Sequence, residues 1–165
     1  MSPIAVLIGP PAAGKSKLGK RVARHLGVEF VDTDKRIVAE HGPIPEIFAV
    51  HGEAQFRRWE REQVALALQS GGIVSLGGGA ILDEDTQRDL ADQRVVLVTA
   101  SAEAIEHRLD DSSRPLVTGG IDAWRALVAP RMAIYERLAD IVVDTSTGTM
   151  DSHGEALAAT LEELR

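Results

Sequence analysis

Ile4-Ala5-Val6-Leu7-Ile8 runs straight into Gly9-Pro10-Pro11-Ala12-Ala13-Gly14-Lys15-Ser16, and the reading of this junction decides the fold. Five successive apolar residues, most of them branched, suit a strand covered on both faces, as parallel strands are. The next eight match G-x-x-x-x-G-K-[ST]. Beyond them Leu18, Val22 and Leu26 recur at intervals of four, the apolar stripe of a helix over 17–26. A strand, a glycine-bounded loop and a helix in that order make a phosphate cradle. Backbone N–H groups turn inward and the helix N-terminus adds about half a positive charge. The plainer alternative is a glycine-rich turn beside a solvated lysine. Four fixed positions arise by chance in a chain of this length about once in a hundred, and their placement between strand and helix makes chance rarer still. The cradle therefore assigns phosphate contacts to Gly9, Ala12, Ala13, Gly14, Lys15, Ser16 and Lys17. Lys15 would reach the β- and γ-phosphates, and the Ser16 hydroxyl would take Mg²⁺, which bridges phosphate oxygens and needs few protein ligands.

Outward from this junction, short β-branched runs recur: Phe30-Val31, Ile73 to Leu76, Val95 to Val98 and Ile141 to Val143. Helical stripes separate them, over 56–68, over 127–138 with Pro130 as an expected boundary or kink, and over 156–164. Strands alternating with helices predict a parallel sheet in an α/β fold. The 165 residues make one domain, since a domain takes roughly 150. Residues 9–14, 77–80 and 110–122 break the pattern with Gly, Pro or polar clusters and are expected loops, where such folds bind ligands.

The composition, 44% hydrophobic and 26% charged, is that of a chain with a real core and excludes global disorder. A net charge of −7 argues against a general nucleic-acid binder, which needs a basic face. No apolar run approaches the ~20 residues of a membrane span, and the apolar start lacks a basic leader and a cleavage site. A cytoplasmic protein, monomeric and with neither membrane nor nucleic-acid partner, is the expectation. Zero cysteines remove disulfides, thiolate metal sites and a cysteine nucleophile, and the five histidines show no ligand spacing.

Other clusters fall at the ends of strands. Asp32-Thr33-Asp34 follows the second run, where one carboxylate could serve a metal and the other accept the proton of an attacking hydroxyl. Simple helix capping is the alternative there. In Gly52-Glu53-Ala54-Gln55-Phe56-Arg57-Arg58-Trp59-Glu60, Glu53 and Glu60 flank Arg57 on one helical face. Such a braced guanidinium could clamp a substrate carboxylate, whereas a surface ion pair is the blander alternative. Ser75-Leu76-Gly77-Gly78-Gly79-Ala80 lets backbone approach a ligand closely. Arg108, Arg114, Arg125, Arg131 and Arg137 make the 108–137 stretch locally basic. Arg114-Pro115-Leu116 falls where a lid over 110–122 could bring an arginine to the transferring phosphoryl.

Taken together, the loop, Asp-Thr-Asp, Gly-Glu-x-x-Phe-Arg-x-x-Glu, the three glycines, Arg-Pro-Leu and Arg131 four residues before Tyr135 resemble the shikimate kinase family over nearly the whole chain. The resemblance implies a P-loop kinase fold with five parallel strands ordered 2-3-1-4-5, ATP on the loop, and a substrate-binding helical region over about 34–60. It further implies that Asp34 acts as base or orienter on the shikimate hydroxyls, that Arg57 and Arg131 clamp the carboxylate, and that the Gly78–Gly79 backbone lines the ring. Asp32 with Ser16 would serve Mg²⁺, Arg114 would reach the phosphates and Arg108 would stack on adenine. The catalytic set is then Lys15, Asp34 and Arg114. Departures from the family pattern are Ala12 where Gly is usual, Ala13 where a small hydroxyl residue is usual, Lys17 where Thr is common, and Gly42-Pro43-Ile44-Pro45. The competing readings are another small-metabolite kinase of this fold, such as a gluconate kinase, and a nucleotide-binding module without catalysis.

Overall fold

The computed structural model describes residues 1–110 and 119–165. Its five strands are β1 (Ala5–Ile8), β2 (Phe30–Asp32), β3 (Ile73–Ser75), β4 (Val95–Thr99) and β5 (Ile141–Asp144). They form one parallel sheet ordered β2-β3-β1-β4-β5. The central strand β1 is buried at every residue, which is why its sequence is uninterrupted apolar rather than alternating. Each expected run is a strand to within a residue or so at either end.

Helices cover both faces. On one side α1 (Lys15–Leu26) and α7 (Met150–Glu163) pack together, with Leu18 and Val22 meeting Leu157 and Leu161 over Leu7 and Val96. On the other, α3 (Ile44–Ala67), α4 (Glu84–Leu90) and α6 (Gly120–Leu138) cover Val6, Ile8, Val74 and Leu97, with Val64, Leu90 and Tyr135 in the core. Each fully buried Leu or Ile contributes about 1.5–3 kcal/mol, so Leu161→Ala in the first layer should cost about 2–5 kcal/mol. Two shorter helices, α2 (Thr33–His41) and α5 (Ala102–Asp110), and a single 3-10 turn (Ala80–Leu82) complete the described chain.

Four expectations change. The helix expected over 56–68 begins at Ile44 and breaks its helical geometry at Gly52 (φ 83°). The terminal helix starts at Met150, six residues earlier than expected, capped by the Thr149 side chain accepting from the Ser152 N–H at 3.0 Å. Pro130 is no boundary: α6 runs through it from Gly120 to Leu138. Trp124, Val128, Arg131 and Tyr135 recur on its buried face at helical spacing, and this packing outweighs the ~3 kcal/mol that an interior proline costs. The loop expected over 110–122 contracts, because Asp110 closes α5 and Gly120–Asp122 open α6. Its middle, including Arg114, lies outside the described residues.

Candidate active site

The loops after β1, β2 and β3 leave the carboxyl edge of the sheet, and a cleft of about 690 Å³ opens there. Ala12, Gly14, Lys15, Ser16 and Lys17 line it from the loop, Asp32 and Asp34 from the end of β2, Arg57 from α3, Gly78 and Gly79 from the turn after β3, and Arg131 from α6. The residues singled out from sequence for nucleotide, metal and acceptor thus converge on one space, although they come from five separate parts of the chain. Gly9 and Ala13 lie buried beneath the loop.

The loop is held by its neighbours. The Lys15 ammonium folds back and donates to the carbonyls of Gly9 (2.7 Å) and Pro10 (3.0 Å). Trp124 Nε1 donates to the Pro11 carbonyl at 2.8 Å. Arg108 donates to the Ala12 carbonyl (2.9 Å) and to the Thr145 carbonyl (2.6 Å), and the buried Thr145 hydroxyl donates to the Ala13 carbonyl at 2.6 Å. The guanidinium expected against adenine thus holds both the loop, at Ala12, and the segment after β5, at Thr145. Ala12 has φ 67°, and among the described residues it alone occupies this left-handed region without being glycine. A side chain there costs about 1 kcal/mol, which is the physical content of its departure from glycine.

Asp32 divides its two oxygens. Oδ1 accepts from the Lys35 N–H at 3.2 Å and caps α2, while Oδ2 accepts from the Ser16 hydroxyl at 2.6 Å. Capping and a role beside the loop are both satisfied by one side chain. Two hard oxygen donors meeting at the loop suit Mg²⁺, which prefers oxygen ligands and takes few of them from protein. Among the described residues no group of three or more His, Cys, Asp or Glu side chains could hold a metal.

Asp34 is the buried acid of the cleft. Burial raises its carboxyl above the usual range and the Asp32 charge adds to this, while Lys15 and Arg57 pull it back. Its Oδ1 is buried against Gly77 and has no hydrogen-bond partner among the described residues, which leaves an acceptor oxygen desolvated beside the cleft. Arg57 is not the surface pair it could have been. It donates to Glu60 Oε1 at 2.7 Å, and Glu60 is 3% exposed; Glu53, at 3.6 Å, guards the rim. Burial pushes the Glu60 carboxyl up to about 6 against the pull of Arg57.

The glycine turn is packed so closely that side chains would not fit. A Cβ at Gly77 would lie 2.5 Å from Asp34 Oδ1, and one at Gly79 would lie 2.5 Å from Arg57 Nη1. Three glycines thus let Asp34 and Arg57 press against backbone from either end. The buried Thr33 fastens the turn from below: its hydroxyl donates to the Ser75 carbonyl (3.4 Å) and accepts from the Gly77 N–H (3.3 Å). Thr33, Thr145 and Trp124 have no signal in local sequence, because each acts on a segment more than forty residues away. The apolar wall adds Val38 and Phe48, which no pattern singled out, to Phe56 and Leu127 from the two helical stripes.

A parallel sheet in this order, a phosphate cradle after its central strand, and an acid with two arginines at the mouth of the cradle define a P-loop kinase, a phosphotransferase of small molecules. The sequence profile of the shikimate kinase family matches residues 11–163. The shikimate kinase of Thermobifida fusca (strain YX) is 45% identical over 163 residues, covering 96% of this chain and 95% of its own. That of Mycobacterium avium (strain 104) is 46% identical over 151 residues, 88% of this chain and 86% of its own. A solved shikimate kinase from Acinetobacter baumannii, in complex with shikimate, superposes with a TM-score of 0.89 at 27% identity over 100% of this chain and 95% of that one. The chain belongs to the shikimate kinase family, whose members are ATP-dependent phosphotransferases.

Proposed function

We propose that this chain, as a monomeric cytoplasmic enzyme, moves the γ-phosphoryl of ATP to the 3-hydroxyl of shikimate with the roles distributed as follows. The observation that carries the reading is the convergence of Asp34, Arg57, Arg131 and the Gly78–Gly79 backbone at the mouth of the phosphate loop. Arg57 and Arg131 hold the acceptor's carboxylate from two helices, α3 and α6. The Gly78–Gly79 backbone lines the ring. Asp34, whose affinity for protons is raised by burial, orients the hydroxyl and receives its proton as the oxygen forms a bond to phosphorus and the bond to the ADP oxygen breaks.

The loop from Gly9 to Lys17 cradles the phosphates, and Lys15 leaves its two loop carbonyls to meet the β- and γ-phosphate oxygens. Ser16 and Asp32 would hold Mg²⁺, which would supply positive charge against that of the phosphates. Arg108 holds the loop through the Ala12 carbonyl and would stack on adenine, and Arg114 would serve the phosphates. Little covalent chemistry falls to the protein; positioning and charge do the work.

Coupled measurement of ADP release with shikimate, with gluconate and with no acceptor tests the reading. Release that requires shikimate is expected. Equal release with gluconate, or release indifferent to any acceptor, would replace it with one of the two competing readings.

A further inference from the structure

Tyr135 is wholly buried on α6, yet its hydroxyl reaches the cleft wall and donates to the Gly78 carbonyl at 2.5 Å. One helical turn earlier on the same face stands Arg131, 9% exposed, which lines the cleft. We propose that Tyr135 is a positioning residue for the acceptor site, its hydroxyl tying the glycine turn to α6 and so fixing Gly78–Gly79 and Arg131 at one separation.

The inference rests on the reading that these groups face the acceptor, and its argument is geometric. The glycine turn belongs to β3 and Arg131 to α6, and the two elements have no covalent link for some forty residues of sequence. A turn of three glycines has wide conformational freedom of its own, so something must hold it. Thr33 does this at Gly77 from the β2 side, and Tyr135 does it at Gly78 from the α6 side. Arg131 stands one turn before Tyr135 on the buried face of α6, so the hydrogen bond to Gly78 joins the helix that carries the arginine to the turn that forms the opposite wall. A tyrosine wanted for packing alone needs no hydroxyl; a phenylalanine fills nearly the same space. Because the phenol ties the turn to α6, its loss should loosen the acceptor side and leave the phosphate loop alone.

Tyr135→Phe tests this with Arg131→Lys beside it. Tyr135→Phe should raise the shikimate KM roughly three- to tenfold, the range of one net hydrogen bond, with the ATP KM unchanged. A KM for shikimate that does not move, or equal movement of both KM values, makes the hydroxyl merely structural and overturns the proposal. If Arg131→Lys raises the shikimate KM while Tyr135→Phe does not, the acceptor-site reading stands and this inference falls. If Arg131→Lys leaves it unmoved, both fall. Should Tyr135→Phe not fold, the sequence offers another probe, for it contains one tyrosine. Replacement by 3-fluorotyrosine then marks that position alone, and its ¹⁹F resonance should shift with shikimate by more than with ADP. A resonance indifferent to shikimate would also overturn the proposal.

Discussion

Arg57 donates to Glu60 across 2.7 Å, one turn along α3, and the carboxylate that accepts is all but sealed from water. The pair holds the guanidinium rigid at the cleft wall, at the cost of a buried charge whose desolvation the ion pair offsets only in part. Glu60 consequently binds a proton far more readily than an exposed glutamate does.

That imbalance has a measurable sign. The folded-state value for Glu60 is about 6 against 4.5 for the free group, so the folded protein holds the proton more tightly. The contribution is fully present below pH 4.5 and is lost as pH rises through 6, about 2 kcal/mol in all. Glu60→Gln removes this titration. Urea unfolding at pH 4.5 and pH 7 should show the wild type losing stability, relative to the variant, as pH rises. Parallel pH profiles for the two proteins would show that Glu60 is not strained in this way.

Asp34 carries the same kind of cost in a plainer form, because its Oδ1 lacks a partner and burial raises its carboxyl. Asp34→Asn should abolish turnover and leave ATP binding intact, since the proposed role gives this carboxylate to the acceptor. The same variant should gain stability relative to the wild type as pH rises, because the folded protein holds the Asp34 proton more tightly than the unfolded chain does. Thermal unfolding as a function of pH and an ATP titration check the two halves; a Tm difference that does not move in this direction with pH, or a weakened ATP affinity, would count against the assignment.

The order of legibility follows the range of the forces involved. The five strands, the loop and the helix after it were legible because periodicity and the glycine-lysine pattern are local. The start of α3 was not, because Pro43, Pro45 and the break at Gly52 mimic a loop, whereas Pro45 sits in the first helical turn, where no N–H is needed. Pro130 misled for the converse reason: the packing of α6 on the sheet overrides a local penalty. At the site, residue types that carry charge could be found by pattern, and Arg57 with its two glutamates is the clearest instance. What the pattern could not supply was Tyr135 on Gly78 or Thr145 on Ala13, contacts that exist only once the sheet has assembled.

Ala12 sets a small strain against a small packing gain. Its left-handed backbone costs about 1 kcal/mol, while its methyl is partly buried against the Trp124 and Ile105 cluster and returns part of the ~0.8 kcal/mol of a buried CH₂. Glycine's greater freedom in the unfolded chain removes a little more. Ala12→Gly should therefore change stability by less than about 1 kcal/mol, on the stabilising side, with ATP KM no higher than in the wild type. A clear loss of stability in urea would mean that the methyl contact outweighs the strain.

Arg57 and Arg131 reach the cleft from different helices, and both are assigned to one carboxylate. Loss of either leaves that carboxylate with half its clamp. A charge-assisted hydrogen bond contributes about 1.5–3 kcal/mol, so Arg57→Ala or Arg131→Ala should raise the shikimate KM by roughly ten- to hundredfold. The ATP KM should move little. Two groups that share one ligand atom set do not act independently, so the double variant should depart from additivity by more than about 0.5 kcal/mol. Steady-state kinetics on the two single variants and the double variant, each checked for folding by its thermal transition, close the cycle. Simple addition of the two losses, or losses that fall on ATP, would mean that the arginines hold different groups, and the carboxylate clamp would have to be reassigned.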